Sequence, residues 1–279
     1  MPGSELRVAI LGVTGRMGRA LVAAVDEADS VVLSGASASP NSRWVGKDVG
    51  EASGSRVRGI AVAPDAATAI GAAQIAIDFT SPEATAANVA ACVAANCPLV
   101  LGTTGQDESV RERIVQAVRQ IPVVMAPNMS LGVNLLLKLV ELTARTLDET
   151  YDIEVFEAHH RNKKDAPSGT ALALGAAAAA ARRVALDEVA EYARYGVDAA
   201  RRHGSIGFSV FRGGDVVGDH TVTFAGRGER IELTHRASDR MAFARGAVQA
   251  AQWLVRREPG LYSMQDVLGL GAQVEAVVR

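Results

Sequence analysis

The stretch from Glu157 to Ala171, EAHHRNKKDAPSGTA, sets two adjacent histidines and three cationic side chains ahead of a Ser-Gly-Thr step into an alanine-rich run. The whole chain carries a formal charge of -2, so the basic loop is a local feature. Ser168 is a good helix N-cap, with Asp165 and Pro167 just upstream. A helix beginning at Gly169 presents the N–H groups of Gly169 and Thr170, plus the Thr170 hydroxyl, and its dipole favours an anion by about 0.3–1 kcal/mol. Lys163 or Lys164 adds a charge-assisted contact worth about 1.5–3 kcal/mol. Ser168, Gly169 and Thr170 therefore form a candidate socket for one carboxylate of a small substrate.

Histidine, with an ordinary pKa near 6.5, donates protons close to neutral pH, and a lysine cation stabilises developing negative charge. Hydride addition to a conjugated imine or ketone needs both. Adjacent residues on a strand point to opposite faces, so spacing leaves open which of His159 and His160 faces the reacting ring. No His-Glu-x-x-His or His-x-His spacing occurs, and no metal is expected.

A second pattern stands near the start. Val8-Ala9-Ile10-Leu11-Gly12-Val13-Thr14-Gly15-Arg16-Met17-Gly18 leaves a strand through glycines and enters a helix, which suits a pyrophosphate at the helix N-terminus. Its spacing is G-x-x-G-x-x-G, with Thr14 near the second glycine of the usual G-x-G-x-x-G fingerprint. No carboxylate occurs from Val31 to Lys47, where a site preferring NADH places one for the adenine ribose. Ser37, Ser39, Asn41 and Arg43 are candidates to meet a 2'-phosphate there, with Arg16 beside them. NADPH is thus expected to serve at least as well as NADH. Two further strand ends, LVLGTTG and VVMAPNMS, place Gly102, Thr103 and Thr104, then Ala126, Asn128 and Met129, at the ligand edge of the sheet.

The elements that must position these residues follow from periodicity. Short apolar strands at Arg7–Leu11, Val31–Leu33, Ile75–Phe79, Leu99–Leu101 and Val123–Met125 alternate with helical runs, the pattern of a parallel sheet covered on both faces. Past Asn128 the character changes. A long helix over Leu131–Leu147 and a strand over Tyr151–Ala158 precede the basic loop. Three strands between Ile206 and Thr234 then follow one another through Gly-rich turns, as in a mixed or antiparallel sheet. The fold class is α/β: a Rossmann-type parallel-sheet domain over 1–129 and 239–279, with a second α+β domain over 130–238.

The bulk composition fits this reading. With 279 residues, 48% hydrophobic and 22% charged, the chain suits a soluble globular protein with one large or two modest cores. Near-zero net charge argues against a nucleic-acid binder. No apolar run suits a membrane span or signal peptide, and two cysteines suit a reducing compartment, so the cytoplasm is expected. A cysteine-dependent semialdehyde dehydrogenase is a rival reading, though Cys92 lies in a helix pattern and Cys97 just before a strand. A nucleotide-binding sensor without turnover is another.

VAILGVTGRMGR, IDFTSPEAT, VLGTTG, APNMSLGVN, EAHHRNKKDAPSGTAL, DVVGDHTVTF and LTHRASDRMAFARGAV together resemble the dihydrodipicolinate reductase family, also called 4-hydroxy-tetrahydrodipicolinate reductases. The resemblance runs over nearly the whole chain. It implies NAD(P)H-dependent reduction of a cyclic dicarboxylic imine to tetrahydrodipicolinate in lysine and diaminopimelate biosynthesis, by a homotetramer. It implies His159 as proton donor or acceptor, Lys163 as its assistant, His160 as a substrate contact, and Gly169 with Thr170 on a ring carboxylate. Family members that use NADH well often carry an acidic residue after the second strand. Ala38 and Ser39 occupy that region here, which keeps NADPH and NADH both as expected cofactors.

Overall fold

The computed structural model describes residues 5–197 and 199–271. The first four and last eight residues of the expected N-terminal domain lie outside that range. The first elements in chain order are β1 (Leu6–Leu11), α1 (Arg16–Glu27), β2 (Val31–Ser37), α2 (Val49–Ser53), β3 (Val62–Ala63) and α3 (Ala66–Ile70). Then come β4 (Ile75–Asp78), α4 (Pro82–Ala94), β5 (Leu99–Leu101), α5 (Glu108–Ala117), β6 (Pro122–Met125) and α6 (Leu131–Thr146). The middle of the chain forms β7 (Asp152–His159), α7 (Gly169–Ala181), α8 (Leu186–Val189), β8 (Ala190–Glu191), β9 (Ile206–Arg212), β10 (Gly218–Gly226) and β11 (Glu229–Ala237). It closes with α9 (Met241–Leu254), β12 (Gly260–Tyr262) and α10 (Met264–Val267).

The chain divides into two compact units, one running through Leu131 and resuming at Arg240, the other spanning Gly132–Asp239. In the first, a seven-stranded sheet has the order β12-β6-β5-β4-β1-β2-β3, with every pairing parallel. Its strands are buried on both faces. One face packs Val8, Ile10, Ile75 and Ile77 against α1 and α9, and the other packs Ala9, Leu11, Leu99 and Leu101 against α3, α4 and α5. That two-sided burial is why these strands read as continuous apolar runs.

Several boundaries differ from the periodicity. Strand β2 runs on to Ser37, pairing Gly35, Ala36 and Ser37 with Ala9, Ile10 and Leu11 of β1; Gly35 interrupts the apolar run because a Cβ there would come within 1.9 Å of the Ala69 carbonyl oxygen. The polar stretch after it holds α2, capped by Asp48, whose side chain accepts from Gly50 N–H at 2.7 Å. The two-residue β3 and three-residue β12 at the sheet margins are too short to show a period.

In the second unit a five-stranded sheet has the order β11-β10-β7-β9-β8. It is mixed: β10 pairs antiparallel with β7 and β11, while β7–β9 and β8–β9 are parallel. Ile153, Val155, Phe208, Val222 and Phe224 share a face and pack with Leu136 and Val140 of α6 and Leu174 and Ala178 of α7. Small residues on α7 allow close approach: a Cβ at Gly175 would lie 2.4 Å from the Phe208 ring. The same strands continue past this core to place Glu157, His159 and Arg212 at their ends. No helix among the described residues is long and apolar enough to cross a membrane.

Candidate active site

In the first unit, the turn after β1 is fastened to β2 by the N–H groups of Gly12 and Val13, which donate to the Ser37 carbonyl at 3.0 and 2.9 Å. Gly12 has φ +87°, and a Cβ there would stand 3.0 Å from the Phe79 carbonyl oxygen, so this turn admits only glycine without strain. Gly15 is the N-cap of α1; no side chain caps that helix and no acid occupies its first turn. A Cβ at Gly18 would come within 2.3 Å of the Gly12 carbonyl oxygen, so α1 presses directly on its own entry turn.

A cavity of about 540 Å³ opens beside this turn, lined by Gly12, Thr14, Gly15, Ser37, Ala38 and Ser39 and closed by Thr80 and Asn88. An uncapped helix start facing a glycine-lined hollow fits the pyrophosphate and sugar of a dinucleotide. Asp65 also lines it, a carboxylate that comes from beyond the loop after β2. Its oxygens receive Thr68 N–H at 2.7 Å and the Thr68 hydroxyl at 3.2 Å, and these bonds hold its pKa below the usual range.

The other expected cofactor residues fall elsewhere in the same unit. Arg16 and Thr104 are exposed, and Met17 is half-buried against the core. Gly102 abuts the Phe79 ring, where a Cβ would lie 2.3 Å from Cζ. Thr103 is buried, and its hydroxyl donates to Asp78 at 3.1 Å. Asn128 accepts from Ser130 N–H at 2.9 Å, while Ala126 and Met129 are buried in the apolar core. A larger hollow of about 850 Å³ between α4 and α5 gathers none of the motif residues.

In the second unit, β7 ends at His159, so His159 belongs to the strand and His160 to the loop. Glu157 and His159 lie two apart and share a face. Glu157 is fully buried, and its Oε2 stands 2.5 Å from His159 Nδ1. Arg212, at the end of β9, grips both carboxylate oxygens at 2.7 Å, and Ser168 N–H adds a bond of 2.9 Å. Burial alone would raise the Glu157 pKa, but Arg212, His159 and the Ser168 N–H outweigh it and hold the carboxyl low.

His159 is 8% exposed. Burial lowers its pKa most; Glu157 pulls it back up, and the charges of Lys163 and Arg212 push it down again, leaving it below the ordinary imidazole value. A Cβ at Gly218 would sit 3.0 Å from His159 Nε2, so glycine there keeps that nitrogen uncrowded. His220 stands edge-on to His159 with ring centroids 5.1 Å apart, and its Nε2 lies 3.1 Å from Ser168 Oγ. Burial, followed by the charge of His159, pushes the His220 pKa down to about 4, so it stays neutral beside its partner.

Ser168 caps α7 by accepting from Ala171 N–H at 3.2 Å and is itself buried. Beyond it the helix start opens outward: a Cβ at Gly169 would meet nothing within 4 Å. Thr170, next in the chain, is half-buried, as is His160 in the loop, and Lys163 pairs with Asp165 at 2.9 Å. Arg212 also donates to the Asp165 carbonyl at 2.7 Å, so one guanidinium holds both the basic loop and the Glu157 carboxylate. Glu157, Arg212, Gly218 and His220 were not singled out from sequence. The i, i+2 spacing of Glu157 and His159 was the available signal; Arg212 and His220 arrive only through strand pairing.

Cys92 and Cys97 are buried and free. Their burial, 0% and 2% exposed, keeps both thiols from a substrate and counts against the thiol-nucleophile rival. No group of three metal-ligating side chains gathers among the described residues.

Residues 6–129 match the family model described as dihydrodipicolinate reductase, N-terminus, and residues 132–268 match the one described as dihydrodipicolinate reductase, C-terminus. A 4-hydroxy-tetrahydrodipicolinate reductase of Thiobacillus denitrificans is 54% identical over 266 residues, covering 95% of this chain and 99% of the relative. One from Alkalilimnicola ehrlichii is 54% identical over 264 residues, covering 95% and 99%. Among solved structures, a dipicolinate-bound dihydrodipicolinate reductase from Paenisporosarcina sp. TG-14 superposes with TM-score 0.72 at 22% identity, covering 94% and 98%. An amine dehydrogenase from Mycobacterium smegmatis shares the fold at TM-score 0.59 and 13% identity, covering 94% and 95%.

The electrostatics of His159 give a direct expectation. Its imidazolium predominates only below a midpoint lying under about 6.5, and replacing Glu157 by Gln removes the neighbour that raises it most. An NMR titration should place the wild-type midpoint below the ordinary value and the Glu157→Gln midpoint lower still. A midpoint that rises in the variant contradicts the assigned coupling.

Proposed function

The chain belongs to the dihydrodipicolinate reductase family, and on that premise we propose how its residues divide the work. It is an NAD(P)H-dependent reductase that converts the cyclic dicarboxylic imine dihydrodipicolinate, derived from 4-hydroxy-tetrahydrodipicolinate, to tetrahydrodipicolinate in lysine and diaminopimelate biosynthesis. The observation that carries the residue assignment is the buried Glu157–His159 contact beside the open start of α7.

In this reading residues 1–129 and 239–279 hold the dinucleotide, and 130–238 hold the substrate. The turn of Gly12, Thr14, Gly15, Arg16, Met17 and Gly18 takes the pyrophosphate, and Ser39 the adenosine ribose. The strand ends at Gly102, Thr103 and Thr104 and at Ala126, Asn128 and Met129 take the nicotinamide half, largely through backbone groups. When bound, the dihydronicotinamide supplies a hydride to C4 of the conjugated imine.

This chain's own residues then manage charge and proton. Gly169 and Thr170 hold one ring carboxylate at the positive end of α7, which Ser168 organises by capping it. His160 contacts the substrate from the loop, and Lys163 stabilises the negative charge that spreads through the ring. His159, as imidazolium, delivers its Nε2 proton to C3. It is left as the tautomer protonated on Nδ1, the form that the Glu157 carboxylate accepts from. Water then restores the Nε2 proton.

Two finer proposals accompany this one. NADPH and NADH both serve, because the cavity lining includes no lysine or arginine among the described residues and its one carboxylate, Asp65, is engaged by Thr68. The enzyme is also a homotetramer, supported by the outward face of the second sheet, where Phe156 and Phe211 are 42% and 49% exposed. A reducing cytoplasm suits the two free, buried cysteines.

An absorbance assay of NADPH oxidation with freshly generated dihydrodipicolinate tests the assignment. His159→Gln should lower kcat by about 100- to 10,000-fold, the usual worth of a positioned acid, with little change in KM. An unchanged kcat removes His159 from the reaction. In the same assay kcat/KM for NADPH and NADH should agree within about tenfold, a difference of about 1.4 kcal/mol; a hundredfold preference for NADH overturns that proposal. Light scattering should report four chains per particle, and a monomer at working concentration contradicts the assembly.

A further inference from the structure

Asp78 ends β4 with a side chain that is 0% exposed. Its Oδ1 accepts from Thr80 N–H at 2.8 Å, from the Thr80 hydroxyl at 2.7 Å and from the Thr103 hydroxyl at 3.1 Å. Its Oδ2 accepts from Asn88 Nδ2 at 2.9 Å. Each of these neighbours is a donor, so the site calls for an acceptor-only group, which is an ionised carboxylate. Each is also neutral. This contrasts with Glu157, whose charge is met by Arg212. Burying a charge without a counter-ion is costly, and an enzyme retains one where the charge itself is useful.

The position of Asp78 suggests the use. It pairs with Leu11 of β1 on one side and Leu101 of β5 on the other, at the point where strand order reverses. Ligands of open parallel sheets bind at that crevice, with one mononucleotide on each half of the sheet. Asp78 closes the first strand of the half formed by β4, β5 and β6, and its partners Thr80 and Asn88 wall the cavity beside the glycine turn. Its hydrogen bonds hold Thr80, which lines the cavity, and Thr103, one of the residues assigned to the nicotinamide half.

Resting on the cofactor assignment above, we propose that Asp78 is a positioning residue whose fixed negative charge favours the oxidised nicotinamide over the reduced one. In the reaction the dihydronicotinamide loses one hydrogen nucleus and two electrons to substrate C4, and its ring passes from neutral to singly positive. A nearby anion that no cation among the described residues neutralises stabilises the second state more than the first. The charge therefore assists hydride donation, and it also tightens the hold on the oxidised product.

The test is binding, not turnover. Dissociation constants for NADPH, by its fluorescence, and for NADP+, by competition, are measured without substrate for wild type and Asp78→Asn. The double variant Asp78→Asn with Thr103→Val is measured alongside. It removes a donor that the new amide would face, and it carries the test where the single variant does not fold. The ratio Kd(NADP+)/Kd(NADPH) should rise about tenfold or more in each folded neutral variant, since at an effective dielectric constant of about 20 one unit charge acts on another by at least that factor within about 12 Å. Equal weakening of both nucleotides, with the ratio unchanged, makes Asp78 a purely structural hub and overturns the proposal. A wild type that binds neither NADPH nor NADH overturns the cofactor assignment itself, a separate and recognisable failure.

Discussion

Everything in the second unit that bears on chemistry is organised by one buried anion. A carboxylate with no solvent exposure must find partners for its oxygens, and Glu157 finds three at once: a guanidinium, an imidazole and a backbone N–H. Breaking one partner of such a buried charge pair typically costs about 3–5 kcal/mol. The arrangement therefore has few alternatives. Through Arg212 it fixes the ends of β7 and β9 and reaches the carbonyl of Asp165 in the basic loop. Through Ser168 it fixes the residue that caps α7. Through its 2.5 Å contact with Nδ1 it orients the His159 ring. The imidazole of His159 and the start of α7 are thus held by the same group.

Most of the architecture was legible because burial leaves a period. Strands covered on both faces, such as Val8–Leu11 and Leu99–Leu101, appear as apolar runs, and the change to consecutive strands after Ile206 announced a different kind of sheet. What was missed had no period to show. The strands β3 and β12 are two and three residues long, and Gly35 disguised the second half of β2 by answering to a close contact rather than to hydrophobicity.

The candidate site was legible to a different extent. His159, Lys163, Gly169 and Thr170 lie within one short segment, so their types and spacing could be read together. The groups that tune them come from strands far away in sequence. Arg212 reaches Glu157 across 55 residues and His220 reaches Ser168 across 52, contacts that only sheet register creates. Asp65 shows the same limit on the cofactor side, because it reaches the cavity from the turn after β3, outside the Val31–Lys47 stretch where a ribose-binding carboxylate is expected. Adjacency also misled in a small way: His159 and His160 look equivalent in the sequence, but the strand ends between them and only the first meets the carboxylate.

The two buried acids divide along chemical lines. Glu157 is clamped by a cation and lies against an imidazole, while Asp78 is held by neutral donors alone among its hydrogen bonds. The more central of these is the first, and it is open to direct observation. Nitrogen-15 correlation spectroscopy of His159, above its titration midpoint, reports which ring nitrogen holds the proton. The account predicts a proton on Nδ1 and a bare Nε2 in the wild type. A wild-type ring protonated on Nε2 would mean that the carboxylate does not set the tautomer, and the proton-delivery scheme built on it would fail.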